Sequence, residues 1–244
     1  PGPRSVSPPD RPILAIETTQ RTGGVAIALP EGRVLAEHFK PARRHDDRLM
    51  PAIDELCRRA GVGPRDLGGV AVSRGPGGFS GLRIGLTTAK MLARSLAIPV
   101  LGVPSALVVA EGTPDAAGLE PEHRLLVVLA AKRDHGWLSH LERNETGDWR
   151  IATDHPPATG DAGAVDWIRL GLVLGDEHLP ETFREAAARA AVPVRSPRFD
   201  PVACLRLAMR SFAAGEHEDP VALAPIYPGP PEAVVRWDAL HGPA

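Results

Sequence analysis

Glu17, Thr18 and Thr19 stand directly after a short apolar run, and a carboxylate followed by hydroxyls at a turn can hold a magnesium ion and a phosphate. The same hydroxyls can instead serve only the backbone of their own turn. A second candidate lies further on, where Gly75 to Gly81 packs four glycines and a proline into seven residues. The apolar stretch Val70 to Val72 leads into it and a helical pattern leaves it. A strand, a glycine turn and a helix N-terminus make either an anion site or a corner of close backbone packing. No Gly-Lys-Ser/Thr follows at Walker A distance, and the first strand of the chain lacks a dinucleotide fingerprint. Ser80 misses the nucleophile elbow Gly-x-Ser-x-Gly by one residue, because the fifth position is Leu82. A hydrolase would also need a later acid and histidine; Asp176 and His217 are candidates only in the weak sense that the chain is rich in both types.

Metal chemistry has less to build on. Paired helix ligands sit at i and i+4, yet Leu49 stands four residues after His45, and His135 and His140 are five apart in a strand-like segment. The run Arg43 to Arg48 reads as a solvated helix start with Asp46 and Asp47 near the dipole, or else as a partner-contacting rim. Cys57 and Cys204 both fall in helical patterns far apart, as expected of buried thiols in a reducing compartment.

The elements that must position these groups are legible from periodicity. Ile13 to Ile16, Val25 to Leu29 and Val34 to Glu37 are short apolar runs joined by polar turns, an antiparallel meander. Leu49, Ile53, Leu56, Cys57 and Ala60 share one helical face, closed by Gly61 as C-cap. The glycine turn leads into a helix with a core stripe of Leu82, Leu86, Ala89, Ala93 and Leu96. Beside that stripe run a polar one of Arg83, Thr87, Lys90 and Arg94 and a small-residue strip of Gly81, Gly85 and Thr88. Glycine at 85 costs about 1 kcal/mol relative to alanine in a helix, so close approach of another element should offset it: a partner's helix, or packing within the chain. Pro99 to Val103 completes a βββαβαβ order.

Thr113 to Glu122 reads as a linker or long loop. Leu125 to Ala131 is the strongest strand, with Trp137 to Glu142 and Trp149 to Ala152 as antiparallel companions. A short helix over Ala164 to Leu170, a strand over Gly171 to Gly175, a helix over Glu181 to Ala190, a strand over Val192 to Val194 and a helix over Pro201 to Ala214 follow. The expected division is a disordered leader at 1–12, an α/β domain at 13–106 carrying the glycine turn, a second α/β domain at 107–228, and a tail at 229–244 without an element.

A net charge of -2 leaves no basic footprint for independent nucleic-acid binding. No apolar run approaches the roughly 20 residues that span a bilayer, and residues 1–12 lack a signal-peptide core, so a cytoplasmic protein is expected.

Three stretches, Ile13-Leu-Ala-Ile-Glu-Thr-Thr19, His45-Asp-Asp-Arg-Leu-Met-Pro51 and Arg74-Gly-Pro-Gly-Gly-Phe-Ser-Gly-Leu-Arg-Ile-Gly85, closely resemble the TsaB (YeaZ) family. Its members are bacterial accessory proteins for the threonylcarbamoyl modification of adenosine in transfer RNA. The match is strong over about residues 13–105 and continues weakly through Ala130 to Arg133 and Pro225 to Tyr227. The resemblance implies an actin/Hsp70/sugar-kinase-like (ribonuclease H-like) α/β fold, with the βββαβαβ unit duplicated and the second half degenerate.

It also implies a role. Such a chain is the non-catalytic scaffold and activating partner of a TsaD-like subunit, and works with a TsaE-like ATPase on adenosine 37. Transfer RNA is met only through the complex, ATP or ADP and magnesium matter only at the complex level, and no cofactor or membrane is involved. His45 aligns with one member of the His-x-x-x-His metal pair of TsaD-type proteins and Leu49 replaces the other, so no metal is expected. Glu17 stands where the family usually has aspartate, leaving Glu17, Thr18 and Thr19 as at most a vestigial phosphate loop, and Ala131 replaces another common aspartate.

The family implies that the helices after His45 and Gly81 meet a partner's equivalent helices. The expected contact is Leu49, Ile53, Leu56, Phe79, Gly81, Leu82, Arg83 and Gly85, with Gly85→Leu blocking pairing in a still-folded monomer. The free chain could self-associate through the same face. The alternatives are a nucleotide-dependent ATPase or kinase using Glu17, Thr18 and Thr19, and a serine-type protease using Ser80.

Overall fold

Alternation at every second residue builds the first sheet. The computed structural model describes residues 10–20, 22–39, 48–227, 237 and 240–242. Strands β1 (Ile13–Glu17), β2 (Gly24–Ala28) and β3 (Val34–His38) form an antiparallel meander. Strands β4 (Gly69–Ser73) and β5 (Val100–Val103) continue it in parallel beyond β1, in the order β3-β2-β1-β4-β5. Parallel neighbours need crossovers, and helices α1 (Leu49–Ala60) and α2 (Phe79–Leu96) supply them. Leu14, Ile16, Val25, Ile27, Val70 and Val72 pack with these helices on one face. The other face is rich in alanine, with Ala15, Ala26, Ala28 and Ala71 on its three central strands, and admits a helix closely. Helix α1 ends as expected at Gly61, whose φ of 73° allows its N–H to reach the Arg58 carbonyl at 3.1 Å.

The chain then runs through α3 (Ser105–Gly112), a single helical turn α4 (Pro114–Ala117), and strands β6 (Arg124–Lys132), β7 (His135–Arg143), β8 (Trp149–Ile151) and β9 (Ala158–Gly160). Strand β10 (Leu170–Gly175), helix α5 (Glu181–Arg189), strand β11 (Val194–Arg195) and helix α6 (Pro201–Ala213) complete it. The second sheet has the order β8-β7-β6-β10-β11, with β9 paired to β7. Strand for strand and direction for direction this repeats the first sheet. Where the first half has α1, the second has only β9 and a one-turn 3₁₀ segment, Ala162–Ala164. That is the degenerate part of the duplication.

Helices α3 and α6, each following the last strand of its half, are exchanged. Ala106, Val109 and Ala110 of α3 pack on Leu125, Val127 and Leu129 of the second sheet. Ala203, Cys204 and Ala208 of α6 pack on the alanine face of the first sheet. Phe183 and Ala187 of α5 close the outer face of the second sheet.

Several expectations need correction. No helix forms over Ala164 to Leu170: Asp161 caps one 3₁₀ turn, and the Asp166 side chain then accepts from the Ile168 N–H and turns the chain. The expected linker contains α4, and the last strand is Val194–Arg195 and not Val192 to Val194. A boundary at 106 falls inside α3. The end of the assigned second domain returns to the first half: Val100 bridges to Glu218, Leu223 is buried in the first core, and the Ile226 N–H donates to the Arg74 carbonyl at 2.7 Å. Residues 216–227 therefore form a strap across β5 and α2. Of the expected leader, Pro12 is buried and its carbonyl accepts from Gly68 at 2.8 Å; residues 1–9 lie outside the described residues. In the expected tail Trp237, Leu240 and His241 are helical. Among the described residues no helix is long and apolar enough to cross a membrane.

Candidate functional site

Strands β1 and β4 are parallel neighbours, so the turns that leave their C-terminal ends meet. Glu17 ends β1 and Ser73 ends β4. The glycine turn folds directly onto the Thr18–Thr19 turn: the Gly78 N–H donates to the Thr19 carbonyl at 2.6 Å, and a Cβ at Gly77 would collide with that same oxygen. Thr18 donates its hydroxyl to the Gly81 carbonyl at 2.8 Å, and a Cβ at Gly85 would strike that hydroxyl. Glycine at these positions thus serves close packing inside the chain.

Glu17, Thr18 and Thr19 are fully buried. Oε1 of Glu17 accepts from the Thr19 N–H at 2.8 Å and its hydroxyl at 2.5 Å, while Oε2 has no hydrogen-bond partner among the described residues. Burial raises the Glu17 pKa above the usual carboxylate value, against the opposing hydrogen bonds from Thr19. A magnesium-phosphate site needs these oxygens to face open space, and here both threonine hydroxyls are spent on protein acceptors beneath the glycine turn. The three residues do not fit a bound nucleotide in this arrangement. Ser80 is exposed and has no hydrogen-bonded base among the described residues, so the nucleophile arrangement is not assembled. His45 lies outside the described residues, Leu49 is in the core, and among the described residues no group of three His, Cys, Asp or Glu could hold a metal.

The expected contact residues divide in two. Leu49, Ile53, Leu56 and Leu82 belong to the chain's own core, and Gly81 and Gly85 are buried against Thr18. Their side chains are therefore not a surface, and Gly85→Leu would disrupt the monomer before it could report on a partner. Phe79 and Arg83 do stand outside. The Arg83 guanidinium lies over the Phe79 ring, 3.6 Å from its centroid, and Nε donates to the Tyr227 hydroxyl at 3.1 Å. The Tyr227 ring is 6.0 Å from that of Phe79, so the strap contributes to this surface. On the outer sides of α1 and α2, Met50, Phe79 and Met91 are 53%, 57% and 58% exposed. Sequence reasoning missed Met50, Met91 and Tyr227. Met91 carried a signal, since it sits opposite the core stripe of α2.

A second polar cluster lies on the second sheet. Arg124, nearly buried, donates from Nη2 to both oxygens of Asp154 at 2.8 and 2.9 Å and to Glu142 at 3.1 Å. His140 and His155 pack ring to ring at 4.8 Å, and Nε2 of His140 is buried without a partner among the described residues. Burial, with His155 and Arg124 nearby, lowers the His140 pKa to about 4.

The family model described as TsaD, tRNA N6-adenosine threonylcarbamoyltransferase, matches residues 36–149. Over 224 residues the chain is 27% identical to the tRNA threonylcarbamoyladenosine biosynthesis protein TsaB of Escherichia coli, covering 86% of this chain and 94% of that protein. It is 44% identical to the Bacillus subtilis TsaB over 94 residues, which are 38% of this chain and 41% of that one. The chain is thus similar over most of its length to proteins of the TsaB (YeaZ) family. The solved structure of YeaZ from Pseudomonas aeruginosa superposes with a TM-score of 0.72 at 24% identity, covering 89% of this chain and 99% of that one, and shows the shared fold. The duplicated sheets and the βββαβαβ order thus belong to a fold shared with YeaZ.

Proposed function

We propose that this chain acts in forming N6-threonylcarbamoyladenosine of transfer RNA, at adenosine 37, as the non-catalytic partner of a TsaD-like transferase. The observation that carries the reading is a contrast within one half. The turn where a kinase-like relative would hold phosphate is packed shut on Thr18 and Thr19, while α1 and α2 above it leave Met50, Phe79 and Met91 open. Large apolar side chains exposed on two helices that pack on the same face of the sheet suit a docking face. Relatives named for threonylcarbamoyladenosine biosynthesis support the pathway. The reading keeps the chemistry, and any ATP or magnesium, on the other subunits, with a TsaE-like ATPase as the third member.

Co-expression with the TsaD-like protein of the same organism tests it. The wild type is expected to co-elute with that protein and to be required for modification of transfer RNA in a reconstituted reaction. Met50→Asp with Met91→Asp is expected to abolish co-elution with the melting temperature unchanged. Modification by this chain alone would overturn the non-catalytic assignment.

A further inference from the structure

The residues that enter the glycine turn, Arg74 and Gly75, lie against the strap of residues 216–227. The Ile226 N–H donates to the Arg74 carbonyl at 2.7 Å, Nε of Arg74 donates to the Ala224 carbonyl at 3.2 Å, and a Cβ at Gly75 would crowd the Ile226 carbonyl. The strap also closes the sheet. Strand β5 ends the first sheet, so one side of it has no neighbouring strand. Glu218 stands in for one: its N–H donates to the Val100 carbonyl at 2.8 Å, and its Oε1 accepts from the Gly102 N–H at 2.8 Å. Its Oε2 accepts from Nη1 of Arg74 at 3.0 Å. Gly102 has no room for a side chain, because Leu223, Arg74 and Glu218 crowd the place of its Cβ.

Little else holds the strap down. Leu223 is its one buried residue, and Lys90 reaches it only through the carbonyls of Val221 and Leu223, at 3.3 and 2.9 Å. Of its other acids, Asp219 accepts from the Val221 N–H in the strap's own turn and Glu216 is exposed. A groove of about 470 Å³ separates its first residues from the turn before β5, lined by Ile98, Pro99, His217, Glu218, Asp219 and Pro220. Gly215, where the strap leaves α6, has a φ of 77° and open space around it, as a hinge requires.

We propose that the strap is a latch on the edge of β5, with Arg74 and Glu218 as its lock, and that it opens as one unit while both sheets stay folded. Glu218 serves donors from β5 and from the residue after β4, so one charged side chain carries much of the hold. A segment with few buried contacts and exposed hydrogen bonds opens at lower cost than the core. Opening uncovers the β5 edge, empties the place of Leu223 in the first core and takes Tyr227 away from Arg83. Arg74 and Glu218 are therefore positioning residues, acting through the strap, whatever partner the protein takes.

Hydrogen exchange of single amides in the full chain, followed at rising urea below the unfolding transition, tests this. In the wild type the amides of Gly102, Glu218 and Ile226 are expected to share one opening, roughly tenfold or more easier than that of the β1 amides and with a much weaker urea dependence. Glu218→Gln keeps an acceptor for Gly102 and loses the charge facing Arg74. It is expected to speed all three amides by the same factor, roughly tenfold, including Ile226, whose own bond it does not touch. Arg74→Gln should do the same, and the double variant should add little beyond either single one. Arg74→Lys, which keeps the charge, should show about a threefold effect. If the glutamine variants do not fold, the wild-type urea dependence and Arg74→Lys carry the test. Strap amides that exchange only with β1, at the same urea dependence, would overturn the latch. So would Glu218→Gln speeding Gly102 but not Ile226, since the strap would then fray and not open as a unit. Fully multiplying effects of the two glutamine substitutions would overturn the lock.

Discussion

Thr18 and Gly85 occupy one space: the hydroxyl of Thr18, bonded to the Gly81 carbonyl at 2.8 Å, stands where a side chain at position 85 would begin. The turn after β1 and the second turn of α2 are consequently a single packed unit. A helix that looked from its small residues as if it were waiting for a visitor has already received one from its own chain.

Gly85→Ala is therefore expected to lower stability by about 1–3 kcal/mol, although alanine returns up to about 1 kcal/mol of helix propensity. Thr18→Ala alone should cost about 1–2 kcal/mol through the lost buried hydrogen bond. The double variant should cost clearly less than the sum, because removing the hydroxyl makes room for the methyl. Urea unfolding of the four proteins measures this, and simple additivity would show that the two residues do not share the space.

Glu17→Gln should be at least as stable as the wild type at pH 7. A buried carboxyl with a raised pKa favours its neutral form in the folded state. Its contribution to stability is therefore full below the unfolded value of 4.5 and declines as pH rises toward the folded value. The amide removes that decline, so the two stability curves should converge as pH falls toward 4.5. Calorimetry with ATP and magnesium should show no heat that depends on Glu17; tight binding abolished by Glu17→Ala would revive the ATPase reading.

The histidine on β7 sets a second pH window with the opposite sign. His140 is neutral in the fold, with its pKa lowered from 6.5 to about 4, so the unfolded chain binds more protons between those values. Stability from this group is present above pH 6.5 and is lost as pH falls toward 4, with a limiting slope of about 1.4 kcal/mol per pH unit. Asp154, held well below the carboxylate range by the Arg124 side chain, adds its loss only below its ordinary value of 3.8. Denaturant midpoints of wild type and His140→Gln between pH 4 and 7 should diverge in the first window and run parallel above it.

Asp200 caps α6 by accepting from the Val202 N–H at 2.9 Å. Asp200→Ala should cost about 1 kcal/mol, and Asp200→Asn distinctly less, since both native side chains accept at an N-cap. Thermal melts of the pair distinguish a cap from a purely electrostatic role.

The first half was legible because its sheet and helices each keep a clean period. Leu82, Leu86, Ala89 and Ala93 are all buried as their spacing requires, and Gly61 caps where expected. Helix α3 was invisible for the converse reason. Ser105, Ala106, Val108, Val109 and Ala110 are buried on several sides, so no polar face marks a helical period. Strand β9, three residues long, is below what alternation can signal. Four of the expected contact residues fell in the core because an apolar stripe at helical spacing has the same pattern whether it faces the chain's own sheet or a partner. Leu49, Ile53, Leu56 and Leu82 face the sheet. The strap that brings Tyr227 to Arg83 joins positions 144 residues apart, and no local pattern encodes that contact.

Helices α3 and α6 each cover the sheet of the opposite half, which makes the molecule a domain swap folded within one chain. Neither half can be cut free with its own core complete: a fragment ending near Val103 would bare the alanine face of the first sheet, and one starting near Arg124 would lack the lid of the second. The two halves are consequently expected to melt together, joined by the contact between α3 and α6.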